Sequence, residues 1–144
     1  MEKLFLIAEI AGTAVAICSE HIESVVSVNE IVAIPRVDPV IAGLFALRSR
    51  VLTLVDCQYR ITGEQKAFEK GNLAVIAAIG GHNFGLMVDR VRDVVSVPET
   101  AINPAVRLDK KWSALVTSLV EVEGQLLMIL DPDRLVSIED RMAA

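Results

Sequence analysis

The feature that most constrains this chain is that it repeats itself. Displaced by 69 positions, residues 4–35 (LFLIAEIAGTAVAICSEHIESVVSVNEIVAIP) lie over 73–104 (LAVIAAIGGHNFGLMVDRVRDVVSVPETAINP) with 11 identities in 32 ungapped pairs. The identities include Gly12 over Gly81, the run Val25-Val26-Ser27-Val28 over Val94-Val95-Ser96-Val97, and Pro35 over Pro104. A weaker match follows at a displacement of 75, with 49–61 over 124–136 and Asp56 over Asp131. The change in displacement puts about six extra residues in the second half, near RLDKKWSAL (107–115). Two related units, approximately 4–63 and 73–138, are therefore expected within a single domain spanning 1–144, joined by the polar stretch TGEQKAFEKG. A unit of this size buries too little surface to be stable alone, so each is expected to pack on its twin.

Both units read the same way. Two apolar runs bracket a glycine turn, at Gly12 in one and Gly80-Gly81 in the other, which predicts a hairpin. The spacing of Ile22, Val25 and Val26, and of Val91, Val94 and Val95, then predicts a short helix in each, with Ser19 and Asp89 as N-caps. A strand follows and stops at Pro35 or Pro104. Each unit closes with a second hairpin ending in Asp56 or Asp131, read as duplicated helix caps. Pro132 suits a first helical position, and Leu135, Ile138 and Met142 share a face, so a C-terminal helix is expected. Hydrophobic residues make up 53% of the chain but aromatic ones only 4%, leaving the core to Val, Ile, Leu and Ala. Short strands separated by turns, built from such residues, predict a mainly β fold of two small barrels rather than a βαβ sheet.

Several function classes lose ground on composition. The net charge is −5, with Lys and Arg scattered, so the basic footprint of a nucleic-acid binder is missing. Trp112 and Tyr59 are the only Trp and Tyr, too few for a base-stacking platform. Residues 71–88 hold no Asp, Glu, Lys or Arg, but Gly80-Gly81-His82-Asn83 divides them into a hairpin rather than a membrane span. The amino terminus fits a secretion signal poorly, so a cytoplasmic protein is expected. His21 and His82 lie in non-matching positions of the repeat with no neighbouring His or Cys, and no metal or cofactor is expected. Nucleophilic catalysis would rest on Cys57, next to Asp56; a small thiol-dependent hydrolase is the enzymatic alternative, against a leading expectation of no catalytic apparatus.

One stretch invites a binding reading. In GLFALRSRVLTLVD (43–56), Arg48-Ser49-Arg50 forms a cationic knot between two apolar strands, with Ser49 over Gly124 in the repeat. Arg48 and Arg50 then flank a hairpin turn. Charges there serve equally well as solubilising decoration that discourages edge pairing or as a surface that another protein reads.

The order of these elements resembles the CheW-like family, adaptors that couple chemoreceptors to the histidine kinase CheA. The resemblance covers nearly the whole chain. It is carried by Gly43-Leu44-Phe45-Ala46-Leu47-Arg48-Ser49 leading to Asp56-Cys57, by Phe84 through Val95 (FGLMVDRVRDVV), and by EGQLLMILDPDRLV near the end. It implies two SH3-like five-stranded barrels on a shared core, with short helices. It further implies no enzymatic activity, and binding of a CheA-type kinase regulatory domain and of the chemoreceptor cytoplasmic tip, with recruitment to receptor arrays at the inner membrane. The same module also occurs as a regulatory or adaptor part of kinase or receiver fusions. Carried onto this sequence, Arg48 takes the role of the partner-binding hairpin arginine. Gly43, Leu44 and Leu47 match the same motif, and Arg50 supplies a second cation. Three positions depart from the family pattern: Ala46 replaces an Asn, Ser49 a turn Gly, and Ser24 a Glu.

Overall fold

The computed structural model describes residues 2–104, 108 and 110–136. The first glycine turn joins β1 (Glu2–Ile10) to β2 (Thr13–Cys18), and Gly80-Gly81 joins β6 (Asn72–Ile79) to β7 (His82–Val88). Between these hairpins lie β3 (Ile22–Val28), β4 (Ile41–Leu47), β5 (Arg50–Asp56) and the helix α1 (Cys57–Thr62). The second half continues with β8 (Arg90–Pro98), β9 (Ile102–Pro104), α2 (Lys110–Ser113), β10 (Val116–Val122), β11 (Gln125–Leu130) and α3 (Pro132–Leu135).

Two expected helices are strands. Ile22, Val25 and Val26 belong to β3, and Val91, Val94 and Val95 to β8. The β-branched run Val-Val-Ser-Val favours an extended backbone, and pairing with a neighbour on one side decides it: Val25 faces Val75 across β6, and Val95 faces Phe5 across β1. Ser19 and Asp89 are accordingly not helix N-caps. Ser19 opens a three-residue 3-10 turn that has no side-chain cap, and Asp89 sits between β7 and β8. The strand expected before Pro35 reduces to a single bridge, Val32 to Leu44, whereas its counterpart before Pro104 is β9.

The other local expectations hold. Asp56 and Asp131 cap α1 and α3: one carboxylate accepts from Tyr59 N at 3.0 Å and the other from Asp133 N at 3.0 Å. Pro132 occupies the first turn of α3, while Ile138 and Met142 lie outside the described residues.

The strands form two sheets, ordered β8-β1-β2-β11-β10-β9 and β3-β6-β7-β5-β4. The sequence halves have exchanged their leading hairpins. β1 and β2 complete the sheet of the second half, and β6 and β7 complete that of the first, through parallel contacts of β2 with β11 and of β5 with β7. Strand alternation divides the apolar residues between a private core in each barrel and a shared one. On β1, Phe5 and Ile7 enter the first barrel's core with Val97, Val120 and Ile129, while Leu6 and Ile10 face the shared core. The second barrel encloses Phe45, Leu52, Leu54, Ile76 and Met87. Val15, Ile17, Val55, Val75, Leu86 and Leu130 from the two sheets meet in the shared core, with Trp112 partly buried against it. Burying both faces of the central strands explains why their sequence reads as continuous apolar runs.

Candidate partner-binding surface

The cationic knot is the tip of the β4–β5 hairpin. Leu47 pairs with Arg50, leaving Arg48 and Ser49 as a two-residue turn with φ of 49° and 70°. Such turns require a left-handed backbone at both residues, which non-glycine residues adopt at a cost. The equivalent tip of the other barrel has Glu123 at 49° and Gly124 at 79°. Ser49→Gly is expected to raise stability by about 0.5–1 kcal/mol, a melting-temperature gain of about 2–4 °C measured by circular dichroism. An unchanged or lower melting temperature would show that the Ser49 side chain contributes more than its backbone strain costs.

Behind the tip, the second barrel is open along one seam. β3 and β4 are the edges of the five-stranded sheet, and a groove of about 330 Å³ runs between them. Val26, Val28, Val32, Leu44, Ala46 and Leu47 contribute to its walls. Its floor is held by the Val32–Leu44 bridge, in which each amide donates to the other's carbonyl, at 2.8 and 2.9 Å. Gly43 lies buried beside that bridge, where a side-chain Cβ would come within 2.7 Å of Val32 O. At the tip end, Arg50 Nη2 donates to both Glu23 carboxylate oxygens, at 3.1 and 3.4 Å, across the seam.

The structure thus places the five residues in three layers. Arg48 and Arg50 are exposed at the tip, Leu44 and Leu47 are half-buried on the groove wall, and Gly43 is buried behind it. Arg50 is not a free second cation, because Glu23 holds it. Arg48 is exposed and forms no ion pair among the described residues. Of the departures from the family pattern, Ala46 lies on the groove wall, Ser49 at the tip, and Ser24 on β3 opposite Ile76. Sequence reading missed Glu23 and Val32. Val32 is 68% exposed although large and apolar, and Glu23 lies 27 residues from its partner with no local signal linking them.

Other chemistry finds little footing. Cys57 is wholly buried, and burial first, then the Asp56 and Asp89 charges, push its thiol far above the usual range. Both effects disfavour the thiolate that a nucleophile would need. His82, its most obvious candidate base, is exposed at the start of β7. Among the described residues, no group of three or more His, Cys, Asp or Glu is placed to hold a metal, and no helix is long and apolar enough to cross a membrane.

A profile of the CheW-like domain matches residues 4–140. The chain belongs to this family. Curated relatives named chemotaxis protein CheW include one from Thermotoga maritima, 26% identical over 128 residues that make up 89% of this chain and 83% of that protein. Another, from Bacillus subtilis, is 25% identical across 99% of this chain and 92% of its own length. The fold is also that of the crystal structure of the scaffolding protein TtCheW from Thermoanaerobacter tengcongensis. That structure superposes with a TM-score of 0.84 at 23% identity, over 94% of this chain and 92% of the other. The mainly β architecture, with two SH3-like barrels on a shared core, is common to both.

Proposed function

We propose that this chain is a non-catalytic adaptor that couples chemoreceptors to a CheA-type histidine kinase in two-component chemotaxis signalling. The observation that carries the reading is the family match over residues 4–140, with near-full-length relatives that bear the name chemotaxis protein CheW. The sealed Cys57 thiol supports a role without catalysis. The protein acts in the cytoplasm, recruited to receptor arrays at the inner membrane through its partners rather than by inserting into lipid. It binds the regulatory domain of the kinase and the cytoplasmic tip of the receptor, and needs neither nucleic acid nor a cofactor.

The partner surface we assign is the hairpin tip and the groove beside it. Leu44 and Leu47 offer apolar wall, Gly43 lets the wall stand close to Val32, and Arg48 stands exposed at the hairpin tip, next in the chain to Leu47. An exposed arginine beside an apolar groove is a common binding anchor, because its planar fork pairs with carboxylates while its stem packs. Arg50 contributes by bracing the seam through Glu23.

Titration of the wild-type protein and Arg48→Ala against the kinase regulatory domain, and separately against a receptor-tip fragment, tests the reading. The expected result is saturable binding by the wild type. The substitution should weaken binding to one partner by about 1–2 kcal/mol, roughly 5- to 30-fold, with an unchanged circular dichroism spectrum. Equal affinities for both partners would return Arg48 to the role of a solubilising charge. No binding by folded wild-type protein would overturn the adaptor reading itself.

A further inference from the structure

The segment between α1 and β6 is built like a strap. It begins at Gly63 with φ of 79° and ends at Gly71 with φ of 94°, and a Cβ at either position would meet no atom closer than Ser27 Oγ at 3.9 Å. Both ends thus adopt a left-handed conformation that glycine enters freely, the first as the C-cap of α1. Glu64, Gln65, Ala67, Glu69 and Lys70 between them are exposed. The strap is held at both ends. Gly63 N donates to Tyr59 O, Glu64 N to Thr62 Oγ1 and Gln58 Nε2 to Glu64 O at one end. At the other, Phe68 packs on the second barrel's core, Glu69 N donates to Asn72 Oδ1 and Asn72 N to Glu69 O, Gly71 N donates to Val28 O and Ser27 Oγ to Gly71 O.

Its middle is held by one residue, Lys66, which engages two carboxylates from different elements. Lys66 N donates to Asp56 Oδ2 at 2.8 Å, and Lys66 Nζ reaches Asp89 Oδ1 at 3.0 Å. Side-chain exposures of 25% and 28% make Lys66–Asp89 more shielded than the Arg50–Glu23 pair at 41% and 44%, so salt screens it less. Asp89 stands where the chain crosses from the five-stranded to the six-stranded sheet. Its Oδ2 accepts from Gly12 N at 3.4 Å, in the β1–β2 turn, and its own N donates to Glu9 O at 2.8 Å. One ammonium group thus links the strap of one barrel, through a single carboxylate, to a turn of the other.

We propose that residues 63–71 form a releasable strap whose catch is Lys66, and that release of the catch loosens the Gly12 turn as well. Segments with few buried contacts and exposed backbone open locally without global unfolding. Opening withdraws the Lys66 amide from Asp56, a residue that is only 2% exposed when the strap is closed. The shared core, which contains no strap residue, keeps the two sheets together throughout.

Amide hydrogen exchange of the whole chain, resolved by NMR, tests this without any partner protein, so it fails or succeeds independently of the adaptor reading. Lys66→Gln removes the charge, and Lys66→Arg keeps it. In the Gln variant, exchange at position 66 and at Gly12 is expected to quicken about tenfold, while the core amides of Leu54 and Val75 keep their wild-type rates. The Arg variant should stay near wild type. Wild-type exchange at position 66 should also quicken in molar salt, and that of the Gln variant should not. Unchanged exchange at position 66, a change there without one at Gly12, or equal acceleration of the core amides would each overturn the proposal.

Discussion

Asp56→Ala is expected to lower stability by about 3 kcal/mol, and the melting temperature by about 10 °C. The side chain is the only buried charged one among the described residues, and it serves two further segments at once. Oδ1 caps α1 by accepting from Tyr59 N, and Oδ2 accepts from Lys66 N at the middle of the strap. Losing a cap costs about 1 kcal/mol, and leaving the Lys66 donor without a partner adds about 1–3 more. Asp56→Asn keeps one acceptor but turns an amide N–H toward Lys66 N, so a smaller loss is expected.

The pH dependence follows from burial. Desolvation raises the Asp56 pKa, and the amides of Tyr59, Lys66 and Gln58 and the Lys66 charge offset it only in part. A raised native pKa means that the folded state holds the proton more tightly than the unfolded chain. The proton-linked part of Asp56's contribution is then fully present below the unfolded value and is lost as pH rises through the native one, leaving the contribution of its hydrogen bonds. The stability gap between wild type and Asp56→Ala should therefore widen from neutral pH down through the raised native value. Urea titrations at several pH values measure that gap, and one that narrowed on acidification would contradict the balance of burial over hydrogen bonding.

The duplicated aspartates show how far local reading reaches. Hairpin turns at Gly12 and Gly80-Gly81, the Arg48-Ser49 tip and both caps are set by one to four neighbouring residues, and each appears where the sequence places it. β3 was misread because its outward face also carries an apolar residue. Ile22, Ser24, Val26 and Val28 turn inward with period two, but Val25, 38% exposed, fills the helical spacing i, i+3, i+4. Only pairing with β6, whose partner residues lie some 50 positions away, separates the two periods.

The exchange of hairpins has no local signature at all. β1–β2 repeats β6–β7, so either hairpin has the pattern to complete either sheet, and in the exchanged arrangement both hairpins contribute residues to the shared core. For the candidate surface this has a direct consequence. The tip, the wall and Glu23 come from the first half, yet the barrel that holds them is closed by β6 and β7 from the second. The motif residues were legible because they are contiguous. The groove was not, because it needs Val26 and Val28 brought beside Leu44 and Leu47 from the far edge of the sheet.

Gly43→Ala is expected to damage that groove and the fold together. Its added Cβ would lie 2.7 Å from Val32 O and 3.3 Å from Ile31 Cδ1. The Ile31 contact is the end of a flexible side chain and gives way cheaply. Val32 O does not, because it accepts from Leu44 N at 2.9 Å and belongs to the one bridge that ties the 29–40 segment to β4. Accommodating the methyl group means parting that bridge. Crowding at about 1–3 kcal/mol, with one or two hydrogen bonds at about 1 kcal/mol each, gives an expected loss of about 2–5 kcal/mol by urea titration. Val32 and Leu44 then separate, so partner affinity should fall as well. Arg48→Ala should lower affinity and leave stability alone, whereas Gly43→Ala should lower both, because the arginine stands on the surface and the glycine shapes it. If Gly43→Ala weakened binding at wild-type stability, the 29–40 segment would be yielding freely. The close packing of Val32 on Gly43 would then not be what holds the groove's shape.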